Sequence, residues 1–164
     1  MSKIGKWPAR CIAAAAAVLW YAVIFGFSGQ DGETSGNLSG AVARFLAGLF
    51  GGSPDGKLRQ VLETVIRKGA HMAEFAVLAV LIYWAIREWT ELRRGAYPLA
   101  FFVTVIGAAM DEFHQTFVSG RAGQARDVLI DSCGALIGLA ILALIVRQKN
   151  VRCKLSENAT EQGK

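Results

Sequence analysis

The chain has 164 residues, 53% of them apolar and only 19% charged, with three cysteines and a net charge of +5. That is long enough for one domain and too apolar for an ordinary soluble one, while three cysteines supply no disulfide framework. The basic surplus follows the topology set out below and argues for anionic lipid rather than for nucleic acid.

The apolar residues come in blocks. Cys11 to Phe27 carries no charge, Phe75 to Ile86 continues a helical pattern begun at Gly69, Tyr97 to Met110 is uncharged, and Val128 to Val146 holds only Asp131. A spanning helix needs about 20 mostly apolar residues. With modest extension the blocks predict four spans, over residues 9–27, 69–88, 96–116 and 127–146. The expected fold is therefore all-α: a polytopic membrane protein built as a four-helix transmembrane bundle, with a short amphipathic surface helix between helices 1 and 2. Residues 1–150 are expected to form this single domain and 151–164 a flexible cytoplasmic tail.

The first block follows Lys3, Lys6 and Arg10, as a signal peptide would. Its apolar core exceeds the roughly 7 to 15 residues of a signal sequence and no A-x-A site follows, so a retained span is expected. Trp20, Tyr21, Phe25 and Phe27 lie towards its far end, which suits an interfacial belt. The segment SGQDGETSGNLSG reads as a polar loop in which Gln30 and Asp31 are near enough to reach a membrane-surface site. Apolar residues then recur at 38, 41, 42, 45, 46, 49 and 50, the stripe of a 3.6-residue period. That helix is too short to span and is expected on the outer surface or as a lid.

Ser53-Pro54 is the expected helix start, a cap followed by proline at the first helical position. The pattern then runs unbroken into the second span, so the first third of one long helix must stand outside the bilayer or lie along it. Lys68, His71, Glu74 and Phe75 share a face of that helix. The third span is uncharged until Asp111-Glu112-Phe113-His114-Gln115, where 111, 114 and 115 share a face. Ser119-Gly120 breaks it, and Arg121 to Arg126 makes a short basic loop. The fourth span opens at Asp127, where a carboxylate also suits a helix N-terminus. Asp131 is one turn deeper and is not explained by capping. Gly134 and Gly138 form a G-x-x-x-G pair that predicts close helix packing.

Basic residues orient the chain. The N-terminal segment, the loop after the second span and the tail hold eleven basic and four acidic residues, while the remaining connections and spans hold seven and nine. Excess Lys and Arg stay inside. The expectation is a membrane protein with both termini cytoplasmic and the polar cluster open to the outside.

Charges at a hydrocarbon boundary are expensive unless they pair or line a wet cavity, so the cluster reads first as a site. Several adjacent carboxylates cannot all ionise cheaply, which lets one act as acid and a neighbour or His71 as base. Arginines at headgroup level suit phosphate. The candidate catalytic residues are His71, Glu74, Asp111, Glu112 and Gln115, and the candidate substrate-binding residues are Lys68, Arg121, Arg126, Asp127 and Asp131. The expected ligand is a membrane lipid or an anionic, lipid-linked envelope precursor. Two other readings stand beside this one. His71, Glu74, Asp111, Glu112 and His114 offer N and O donors that suit zinc or manganese. Alternatively, ion pairs such as Lys68 with Glu74 and Arg121 with Asp127 hold the helices in register without chemistry.

The ordered set R-K-x-x-H71-x-x-E74-F, D111-E112-x-x-Q115-x-F, G120-R121 and D127-x-x-x-D131-x-x-G134 resembles the signature of the VanZ-like family of small bacterial membrane proteins. Phe27 to Gln30, Phe-Ser-Gly-Gln, is similar to the family's motif after its first helix. The likeness spans about residues 18 to 142. It implies a multi-pass membrane protein, and its namesake implies a link to resistance against the lipoglycopeptide teicoplanin. It implies no particular reaction.

Overall fold

The computed structural model of the protein describes residues 7–30, 32–49, 56–92, 94–121 and 123–162. These form five α-helices and, among the described residues, no strands: α1 (Trp7–Ser28), α2 (Gly32–Leu49), α3 (Lys57–Trp89), α4 (Ala96–Gln115) and α5 (Ala125–Gln162). Four of them, all except α2, are long and apolar enough to cross a membrane. That is the all-α, four-span architecture expected from the apolar blocks, with the short helix in its predicted place.

α3 is the axis of the bundle, and each of the other helices packs on it. At about 1.5 Å per residue its 33 residues reach about 50 Å. It starts after Gly56, and the expected cap at Ser53-Pro54 lies outside the described residues. α3 and α5 descend side by side. A Cβ on Gly134 would run into the carbonyl of Met72, and one on Gly138 into the carbonyl of Ala76. The G-x-x-x-G pair therefore lets two backbones touch, as predicted, because only a missing side chain allows that approach. The two contacts step by four residues on both helices, which fixes a parallel register. One turn higher, that register sets Lys68 beside Ile130, between Asp127 and Asp131.

The other seams are small-residue contacts. α4 buries Ala96, Ala100, Thr104 and Ala108 on one stripe, and Asp111, Glu112 and Gln115 prolong it without a change of face. At the terminal end this stripe packs with Ala79, Tyr83, Ala135 and Leu139, flanked by Tyr97 and Phe101. Nearer the middle, Ile24, Phe75, Leu78 and Ala108 form a second apolar cluster, the floor beneath the polar end. α1 runs antiparallel to α3, tied by Arg10 Nε to the Glu88 carbonyl at 2.8 Å and by Trp20 Nε1 to the Glu74 carbonyl at 3.0 Å.

Three features differ from the expectation. Trp20 and Tyr21 are not a lipid-facing belt: Trp20 holds α3, and the Tyr21 hydroxyl donates to the Gly107 carbonyl of α4 at 3.0 Å. α2 begins at Gly32, within the stretch read as a polar loop, because packing on α3 outweighs the weak helix propensity of Gly, Ser and Thr. On this helix Ser39, Gly40, Ala43 and Ala47 are buried, while Phe45 and Leu49 point away from the protein, Phe45 with 68% of its surface exposed. The adjoining turns of α3 repeat this arrangement. Arg59 and Arg67 bind Glu63 at 3.3 and 2.9 Å on the half-buried side, whereas Leu58, Val61 and Val65 are exposed. Lastly, α5 continues as helix past residue 150 to Gln162.

Candidate functional site

Among the described residues the buried acidic side chains Asp111, Glu112 and Asp131 lie at one end of the bundle, opposite the Arg10–Glu88 contact. α4 delivers its carboxylates there because Asp111 and Glu112 occupy the next turn of a stripe already buried by alanines. α3 and α5 deliver theirs because the glycine register aligns Lys68 and His71 with Asp127 and Asp131.

The residues come together in a cavity of about 210 Å³. Of the predicted site residues, Lys68, His71, Glu112, Gln115, Arg121, Asp127 and Asp131 line it, joined by Arg67, Thr64, Gly120, Gln124 and Ile130. Lys68 Nζ makes a short ion pair with Asp127 Oδ1, so this lysine pairs with Asp127 and not with Glu74 as one reading supposed. Asp131 is only 2% exposed, and its Oδ2 has no hydrogen-bond partner. The carboxylates Glu74, Asp111, Glu112 and Asp127 all lie within electrostatic reach of it.

Glu112 shows why Asp127 is not needed as a cap. The Gln124 backbone N–H, at the start of α5, donates to Glu112 Oε2 at 2.8 Å. A carboxylate from α4 thus satisfies a free donor at the α5 N-terminus and leaves Asp127 to Lys68. The connecting loop lies flat on α4 to make this possible. Gly120 has φ 73°, a left-handed conformation that glycine adopts freely, and a Cβ on Gly123 would strike the Glu112 carbonyl.

Beside the cavity lies a buried polar knot that reaches the cavity wall through Gln115. Ser28 Oγ donates to Asp111 Oδ2 at 2.7 Å, and Gln115 Nε2 donates to the same oxygen at 2.9 Å and to Ser28 Oγ at 3.3 Å. Ser28 and Asp111 are both fully buried. Ser28 was not among the predicted site residues. Its signal was the Phe-Ser-Gly-Gln stretch, but the first span was expected to end at residue 27.

Glu74 faces a second, neighbouring cavity of about 410 Å³ between the end of α1, α2 and α3. Its Oε2 is 3.7 Å from His71 Nδ1, an electrostatic contact beyond hydrogen-bond range. Gln30 lines this second cavity, and Asp31 lies outside the described residues. Arg126 is exposed and borders neither cavity.

The structure does not assemble the alternative metal set. Among the described residues no three His, Cys, Asp or Glu side chains converge as ligands. His114 instead stacks on Phe25, with ring centroids 4.0 Å apart.

Arg67 is the cation that sequence reasoning passed over. It borders both cavities, its Nε is buried without a partner, and a terminal nitrogen binds Glu63 at 2.9 Å. Its spacing of four residues from His71 would have placed it on the same face.

Four membrane-length helices, three of which enclose a charged cavity at one end, define an α-helical integral membrane protein with a polar pocket. The VanZ/LLP1 family pattern matches residues 13–146, most of the chain, and the protein belongs to that family. A search of curated proteins and a search of solved structures each gave no match.

Proposed function

We propose that this VanZ-family protein binds, and acts chemically on, an anionic lipid-linked component of the bacterial cell envelope at the outer face of the inner membrane. The cavity carries the proposal: Arg67, Lys68, His71 and Arg121 ring it beside Glu112, Asp127 and the buried Asp131. Guanidinium and ammonium groups facing one chamber suit a phosphate or pyrophosphate. Carboxylates this far inside are retained where they serve a ligand or a wet pathway.

The orientation rests on charge. Arg10, Arg87, Arg94 and Arg147 gather at the end opposite the cavity, which supports cytoplasmic termini and an outward-facing site. In this reading His71 and Glu74 are the acid/base pair, Asp111 and Glu112 the partner carboxylates, Gln115 an orienting donor and Arg121 the anion contact. Lys68, Asp127 and Asp131 complete the binding shell, and Arg126 draws the anion from the surface. Action on an exposed envelope component connects the protein to lipoglycopeptide resistance of the kind associated with the family's namesake.

A second reading has support of its own. Asp111 borders neither cavity and has one oxygen held by Ser28 and Gln115. That suits a scaffold within a non-enzymatic protein that binds or shields a lipid-anchored ligand.

The first experiment is mass spectrometry of lipid that copurifies in mild detergent. Enrichment of a phosphorylated envelope lipid, lost in Arg121→Ala, is the expected result. A lipid profile matching the bulk membrane would sink both readings. Turnover then separates them. Glu74→Gln and Asp111→Asn keep shape and should retain the ligand; loss of turnover marks an enzyme, whereas equal loss of ligand and of folded protein marks a scaffold.

A further inference from the structure

The two cavities are not independent, since Arg67, His71 and Arg121 line both. One is a charged chamber enclosed by α3, α4 and α5. The other is a groove whose apolar wall is Phe27, Val42, Ile66 and Ala70; Gln30 and Ser39 also line it, and Glu74 there is turned to His71. We infer that the groove holds the hydrocarbon chain of a single-chain lipid phosphate whose anionic head occupies the chamber. This rests on the proposed anion site and adds to it what the rest of the ligand is.

Three observations fit that occupant. The shared residues include two guanidinium groups, so the junction between chamber and groove offers bidentate donors to a phosphate at the point where its ester joins the chain. The groove also sits in an apolar setting. The outer faces of its walls expose Phe45 and Leu49 on α2 and Val61 and Val65 on α3, as expected for helices contacting acyl chains. Finally, Ala70 is exposed and lines the groove. A small residue there leaves a lateral mouth through which a chain enters from the bilayer without its head crossing an apolar barrier. Among the described residues one such groove meets the chamber at this junction, and the chamber itself is lined by polar and charged residues apart from Gly120 and Ile130, which suits a head with a single chain.

The test uses the full chain in nanodiscs of phosphatidylcholine and compares three probes: inorganic phosphate, farnesyl phosphate and dioleoyl phosphatidic acid. Farnesyl phosphate should bind at least on the order of tenfold more tightly than inorganic phosphate, because part of its chain exchanges exposed for buried apolar surface. It should also outcompete phosphatidic acid. Ala70→Trp, which fills the mouth, should bring the ratio of farnesyl phosphate to phosphate affinity close to one. Val42→Trp closes the same groove from α2 and serves if the first variant does not fold.

An unchanged ratio in the folded variants overturns the inference, as does phosphatidic acid binding as tightly as farnesyl phosphate. Binding of inorganic phosphate with no gain from the chain removes the groove from the ligand site and leaves the anion site standing. Failure of all three probes to bind wild-type protein removes both.

Discussion

The two ends of the bundle are made by the same helices with the same kind of buried stripe, yet they are filled differently. At the terminal end, Ala79, Ala96, Ala100 and Ala135 leave space that Tyr83 and Tyr97 occupy, their rings 4.4 Å apart, and the Arg87 guanidinium reaches the Tyr83 hydroxyl at 3.2 Å. At the other end the corresponding space is bounded by Glu112, Asp127, Asp131 and Lys68 and is left open as a cavity. Helix packing alone is therefore satisfied by alanine and aromatic side chains. The charged end is the part of the molecule that packing does not require, and burying charge is unfavourable without compensation.

The largest break in this comparison is expected where both ends depend on one contact. Gly134→Leu forces a side chain into the Met72 carbonyl and separates α3 from α5 along their length. Thermal unfolding in detergent should show a loss of about 3 kcal/mol or more, or no folded protein. Asp111→Ala comes next. It removes the acceptor of both Ser28 and Gln115 in a fully buried site, and should lower stability by about 2 to 3 kcal/mol in the same assay. Ser28→Ala deletes one donor of that knot and should give about 1 to 2 kcal/mol. If the knot braces the cavity wall through Gln115, Ser28→Ala should also weaken ligand retention, whereas Tyr97→Phe at the opposite end should lose less than about 1 kcal/mol and leave retention unaltered. Arg126→Ala should be the smallest change, within about 0.5 kcal/mol in stability, because the side chain is exposed and borders neither cavity. A measurable fall in the rate of ligand capture at low salt, with no change at high salt, would give Arg126 its steering role.

The same comparison explains what could be read from the chain alone. The spans were legible because charge-free blocks of membrane length have few alternative meanings, and Gly134 and Gly138 announced their packing by spacing. The grouping of Lys68, His71, Asp127 and Asp131 was legible too, since each sits at the same end of its helix. Partners were not. Lys68 has several carboxylates within reach by sequence, and only the 72-to-134 register selects Asp127. The capping of α5 by Glu112 depends on a loop laid back over α4 by Gly120 and Gly123, which no local pattern encodes. The short helix α2 was legible from its 3.6-residue stripe, but its start at Gly32 was not, because Gly, Ser and Thr carry a weak helix signal of their own. His114 was weighed as a metal donor from its neighbours in sequence, while its ring is held by Phe25 of a helix far away along the chain.

Glycine contact between α3 and α5 also limits how the protein can move. Two helices touching through their backbones at Gly134 and Gly138 interlock like teeth, so neither can slide along the other without lifting away. The chamber wall they form is stationary. Any widening of the chamber must then come from the facing side, the end of α4 and the described loop residues Gly120, Arg121 and Gln124 that follow it.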